Sequence, residues 1–65
     1  MVKIGDIYYV KNGVISPIFN GIPGIVFNKT VDGYYQIRFQ NAGELTHDYW
    51  NILEEDFPKY LERNK

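Results

Sequence analysis

The sequence predicts a small all-β domain, a five-stranded barrel with a long loop after strand 1 and a short 3-10 turn before the last strand. Three observations predict it. Aromatic and β-branched residues gather in short runs, Ile7-Tyr8-Tyr9-Val10, Ile25-Val26-Phe27 and Tyr34-Tyr35-Gln36-Ile37-Arg38-Phe39. Glycine-bearing turns separate the runs. The chain has 65 residues and 11 aromatic side chains (six Tyr, four Phe, one Trp), enough bulk for one core and one domain spanning residues 1–65.

The first strand is expected over Asp6–Val10, entered through the Gly5-Asp6 turn. Strand alternation sets Tyr8 and Val10 on one face and Ile7 and Tyr9 on the other. Both faces are apolar, so the pattern leaves open which one is inside. Residues 11–24 read as a long loop punctuated by Gly13, Pro17, Gly21, Pro23 and Gly24. It is apolar, with Val14, Ile15, Ile18, Phe19 and Ile22, and it is expected to fold back as a cap on the barrel. The alternative is a contact loop that exposes Phe19 or Ile18.

Strand 2 is expected from about Gly24 to Lys29. Val31-Asp32-Gly33 then supplies a hairpin turn, because Asp-Gly tolerates the positive φ that such turns require. Strand 3, Tyr34–Gln40, alternates cleanly: Tyr35, Ile37 and Phe39 inward, Tyr34, Gln36, Arg38 and Gln40 outward. Asn41-Ala42-Gly43 is the next turn. Strand 4 is expected over Glu44–Trp50, with Leu45, His47 and Tyr49 on one face and Thr46, Asp48 and Trp50 on the other. Asn51-Ile52-Leu53-Glu54 has the form of a capping box. Pro58 limits the helical segment after it to about one turn, a 3-10 turn over Leu53–Phe57. Lys59–Glu62 is expected as a brief fifth strand, with a longer C-terminal helix as the alternative.

These local words resemble the SH3-like small-barrel superfamily. Gly5-Asp6-Ile7-Tyr8-Tyr9-Val10 is similar to the opening strand of KOW-type barrels. Gly21-Ile22-Pro23-Gly24-Ile25-Val26 is similar to their second-strand start, and Asp32-Gly33-Tyr34-Tyr35-Gln36-Ile37-Arg38-Phe39 to their next strand. Glu54-Glu55-Asp56-Phe57 resembles the turn near their end. The resemblance implies an SH3-like barrel, a fold that hosts many unrelated roles. Such barrels meet RNA, transcription or translation machinery, or proline-rich peptides. Here the loop 11–24 has no Asp or Glu and Trp50 is the only tryptophan, so the resemblance does not extend to proline-rich recognition.

Composition narrows the chemistry. There is no cysteine, which excludes disulfides and thiolate metal sites. A single histidine, His47, offers one nitrogen ligand where zinc sites take several. Ser16 and His47 do not form a nucleophile arrangement that any spacing enforces, and His47 and Asp48 point to opposite faces of a strand. No catalytic residue, no metal and no cofactor are therefore expected. The N-terminus lacks an apolar signal segment, and no stretch has the length of a membrane span, so a cytoplasmic location is expected.

The net charge is −1. It divides unevenly: residues 1–43 carry Lys3, Lys11, Lys29 and Arg38 against Asp6 and Asp32, while residues 44–65 carry three basic and six acidic residues. Scattered cations are a poor basis for tight phosphate binding. The expected function is thus a non-enzymatic binding module, a small accessory or phage-type regulatory protein that docks on a protein partner, with one form of the role being an inhibitor whose acidic surface occludes a nucleic-acid-binding site. Richness in Asn, Ile, Lys and Tyr, common in low-GC bacteria and their phages, motivates the phage-type reading. The expected contact set is Tyr9, Tyr34, Arg38, Trp50 and Phe19, with a second, acidic patch of Glu44, Asp48, Glu54, Glu55 and Asp56. The alternative is single-stranded RNA or DNA on the Tyr/Trp/Arg face.

Overall fold

In the computed structural model, which describes residues 1–39 and 49–63, the strands are β1 (Ile7–Val10), β2 (Pro23–Lys29), β3 (Tyr34–Phe39), β4 (Tyr49–Leu53) and β5 (Leu61–Glu62). All pair antiparallel in one curled sheet of order β4-β3-β2-β1-β5. The sheet forms a half-barrel and not the closed barrel expected from the sequence. β5 returns to pair with β1 through Tyr9↔Glu62 and Val10↔Leu61.

The β2–β3 hairpin forms where Asp32-Gly33 predicts it. Gly33 has φ +94°, a conformation that strains any residue with a Cβ. The hairpin is tied by Thr30 N–H to Tyr34 O at 2.8 Å and by Tyr34 N–H to Thr30 Oγ1 at 3.1 Å. β3 alternates as its sequence requires, with Tyr35, Ile37 and Phe39 buried. On β1, Tyr8 and Val10 are the inner residues, which resolves the ambiguity of its two apolar faces.

The loop after β1 caps the core and is pinned at both ends. Gly21 N–H donates to Val10 O, and Val10 N–H to Ile22 O. A 3-10 turn over Pro17–Phe19 drops Phe19 into the core, while Ile18 stays 68% exposed. The contact-loop alternative therefore loses Phe19.

Two boundaries move. β4 runs Tyr49–Leu53, so Asn51 is a strand residue and not a helix cap; of the strand expected over Glu44–Trp50, Glu44–Asp48 lie outside the described residues. Asn51 pairs with Gln36 of β3, and the Gln36 Nε2 donates to Asn51 Oδ1 at 3.0 Å. The expected 3-10 turn occupies Glu54–Asp56 and runs into one helical turn, α1 (Phe57–Tyr60), which replaces the first half of the expected fifth strand. Pro58 suits the first turn of that helix, where its missing N–H costs nothing.

The core holds Val2, Tyr8, Val10, Phe19, Val26, Tyr35, Ile37, Phe39, Ile52, Phe57 and Leu61. Phe57 meets Tyr8 edge-on at 4.9 Å and Tyr35 at 5.8 Å between ring centroids. At the other end Trp50 meets Phe39 at 4.7 Å and Phe19 at 5.5 Å. Gly24 lies between Tyr8 and Phe39 in register, and a Cβ there would sit 2.6 Å from the Phe39 ring and 2.7 Å from Ile37 Cγ2.

Gly24→Ala is expected to destabilise the domain by about 1–3 kcal/mol, the range for overpacking a filled core. Urea unfolding of Gly24→Ala, Phe39→Leu and the double variant checks the cause. A smaller residue at 39 should relieve part of the Gly24→Ala cost; strictly additive losses would remove the steric explanation.

Candidate protein-docking face

The convex face of the sheet is built by register. Tyr49 of β4 pairs with Arg38 of β3, Arg38 with Ile25 of β2, and Ile25 with Ile7 of β1. These four side chains form one row across four strands, about 14 Å long at the usual strand spacing. All four residues are exposed: Ile7 48%, Ile25 45%, Tyr49 47%, and Arg38 likewise.

Phe27, two residues on from Ile25 in β2, joins the row by strand alternation, and a β-bulge follows it. Val26 pairs with Ile37 and Asn28 with Gln36, so Phe27 is the extra residue. Such a bulge lets consecutive residues share one side of a strand. Phe27 and Asn28 are accordingly both exposed, while Val26 is fully buried. Phe27 stands edge-on to Tyr49 at 5.7 Å, and the Arg38 guanidinium carbon lies 5.0 Å from the Phe27 ring centroid. The patch is thus aliphatic and aromatic with one cation at its centre. Beside it, Asn28 Nδ2 donates to Gln36 Oε1 at 2.9 Å, which continues into the Gln36–Asn51 bond as a polar row.

The residues expected at the contact are only partly brought together. Arg38 is central. Tyr34 is exposed on the same side but five residues along β3 from Phe39, whose partner Gly24 pairs with Tyr8. Tyr9, half-buried between Pro23 and Glu62, is at that far end of the sheet, so the two tyrosines do not share a site. Trp50 pairs with Ile37 and turns inward against Phe39 and Phe19. Phe19 is in the core. The inward turn of Trp50 follows from β4 alternation, because Tyr49 takes the outer position. Ile7, Ile25, Phe27 and Tyr49 were missing from the expected set. Their signal was the apolarity of both faces in Ile7–Val10 and Ile25–Phe27.

The cations disperse. Beyond the bulge, Lys29 faces Tyr35 in register and its Nζ lies 5.2 Å from that ring. The Lys11 ammonium donates to the Pro58 carbonyl. The acidic patch is not assembled among the described residues, since Glu44 and Asp48 lie outside them. Glu54 Oε2 accepts from Val2 N–H at 3.2 Å, Asp56 pairs with Lys59 at 3.6 Å, and Glu55 is exposed in the turn between them.

The described residues also form concave features. A groove of about 370 Å³ is lined by Ile15, Trp50, Asn51, Ile52 and Tyr60. A more polar cleft is lined by Met1, Lys3, Asp6, Tyr8 and Arg63. In it, the Lys3 backbone N–H donates to Asp6 Oδ2 at 2.9 Å, and Arg63 Nη1 approaches the same oxygen at 2.9 Å. The Lys3 bond, then Arg63, holds the Asp6 carboxyl below its ordinary value of 3.8. The Tyr8 hydroxyl and then Asp6 hold Arg63 further toward its charged form. Among the described residues, no three His, Asp or Glu groups converge as metal ligands, and no helix is long and apolar enough to cross a membrane. Ser16 is exposed ahead of the first 3-10 turn, and His47 lies outside the described residues.

No protein-family model matches the chain, and no curated protein or solved structure matches it either.

Asp6 generates a pH dependence of known sign. Its folded value is depressed, so its contribution to stability is present above about pH 4 and is lost as the pH falls through the folded value. In thermal melts between about pH 5 and pH 2, Asp6→Asn should show a shallower acid loss than the wild type. Parallel curves would remove the Lys3–Asp6–Arg63 cluster as a source of acid sensitivity.

Proposed function

We propose that the chain is a non-enzymatic binding module on an SH3-like barrel plan, a small accessory or regulatory protein that docks on a protein partner through the convex face of its sheet. The strand order, with β5 returning to β1, supports the SH3-like plan. So do the long loop after β1 and the 3-10 turn between β4 and β5. The observation that carries the docking reading is the contiguous row Ile7–Ile25–Arg38–Tyr49 with Phe27 beside it. Apolar side chains scattered singly over a surface need no explanation, but a contiguous patch rimmed by polar groups marks an interaction site. Aromatic and Arg side chains are the usual anchors of such sites.

Nucleic-acid binding has less support. It asks for cations converging beside stacking rings. Arg38 is the one cation in this row; Lys29 lies over Tyr35 and Lys11 engages Pro58.

The test replaces Phe27 with a photo-crosslinking phenylalanine analogue, identifies the polypeptide captured from a host lysate, and measures its affinity for purified variants. Ile25→Ser and Phe27→Ser should each weaken binding by about tenfold or more, as central anchors do. Val31→Ser, at a fully exposed turn position away from the row, should leave it unchanged. Melting temperatures should stay within a few degrees of the wild type, because the substituted groups are surface groups. Equal affinity for all variants would sink the docking reading. So would tight oligonucleotide binding that falls steeply with salt.

A further inference from the structure

We infer that Arg38 is a carboxylate-receiving group at the centre of the convex face, so that the partner is a protein segment presenting an aspartate or glutamate flanked by aliphatic or aromatic side chains. The inference rests on the docking reading above and deepens it by naming the chemistry of the partner.

Arg38 is set directly between Ile25 and Tyr49 by strand register. Its guanidinium lies over the Phe27 ring, 5.0 Å from the centroid. A guanidinium held on an aromatic ring uses its faces there and keeps its N–H edges for hydrogen bonds. It carries five donors and no acceptor, in a fork that matches a carboxylate in two parallel bonds. Among the described residues the ion pairs are Lys59–Asp56 and Arg63–Asp6, so the carboxylates they use are not those of this face. The apolar residues around Arg38 exclude water once covered, which strengthens a charge-assisted bond made there and penalises a covering surface that lacks an anion.

That penalty selects the occupant. A second copy of the chain placed face to face around Arg38 would bring two guanidiniums together with no carboxylate from either row. A nucleic acid would supply an anion, but Ile7 and Ile25 offer no stacking surface, and the Phe27 ring already has Arg38 over it and Tyr49 edge-on to it. Aliphatic and aromatic side chains around the one cation of this row fit a protein segment of mixed acidic and apolar character.

The experiment is selection of random displayed dodecapeptides on the intact protein and on Arg38→Glu, Ile25→Ser and Phe27→Ser variants of unchanged melting temperature. Peptides selected on the wild type should be enriched in Asp or Glu next to Leu, Ile or Phe. A synthetic representative should bind about tenfold more weakly when its acid is replaced by the matching amide, and again to Arg38→Glu. Selection on Arg38→Glu should instead favour Lys or Arg at the same place. Peptides that need Ile25 and Phe27 but show no preference for acid over amide would overturn the carboxylate site and leave the docking face standing. Failure to obtain any peptide sensitive to Ile25→Ser and Phe27→Ser would overturn both.

Discussion

Much of this domain depends on the missing side chain at Gly24. The backbone of β2 passes so close beneath the Phe39 ring that a methyl group has no room. Phe39 can therefore lie close over the strand and meet Trp50 edge-on, and Trp50 in turn meets Phe19 of the capping loop. One close approach thus links β2, β3, β4 and the loop. It also fixes register, because only the pairing Tyr8↔Gly24↔Phe39 sets the gap opposite the ring. A slip of one residue would send the whole inward set to the solvent side.

The second half of the core is organised by Phe57. The 3-10 turn and α1 carry this ring back against Tyr8 and Tyr35, and they deliver Leu61 to its place opposite Val10. Tyr35 is further held by its hydroxyl, which donates to the Val2 carbonyl at 3.2 Å. The N-terminal segment is thereby joined to the same cluster. A chain this short leaves a large fraction of its surface exposed, so each such contact is a sizeable part of a small total stability.

Once the inner face is filled by Tyr8, Val10, Val26, Ile37 and Phe39, the remaining apolar residues have nowhere to go but outward. Ile7, Ile25 and Phe27 are outside because their neighbours are inside. Ordinary one-sided sheets place polar residues there. The bulge at Phe27 sharpens the contrast: it turns Asn28 to the outer face beside Phe27 and diverts Lys29 away from it. The proposed docking face is therefore a product of the same alternation and register that build the core, with Arg38 as the one charged member of its central row.

The all-β class and most of its elements were legible in the chain, whereas the open half-barrel in place of a closed barrel was not. Alternation in Tyr34–Phe39 is a local property, set by the two-residue repeat of a strand, and it appears in the structure as read. The Asp32-Gly33 turn is equally local, since it depends on what one residue's φ tolerates. The capping role of the loop was legible from its apolarity. The boundary at Asn51 was not. Asn caps helices and also bonds across strands, and only the presence of Gln36 opposite decides for the strand. Trp50, expected at the outer contact, turns inward and Tyr49 outward, because adjacent aromatics satisfy either assignment and only packing against Phe39 and Phe19 decides. Tyr9 and Tyr34 look equivalent along the chain, yet register sets them at opposite ends of the sheet. By itself, then, the sequence determined that this protein is a small antiparallel β domain with a capped aromatic core, because those features follow from short-range periodicity and turn chemistry. Which apolar face stays outside, and that Ile7, Ile25, Phe27, Arg38 and Tyr49 meet there, was decided only by strand register, which depends on pairing between segments distant along the chain.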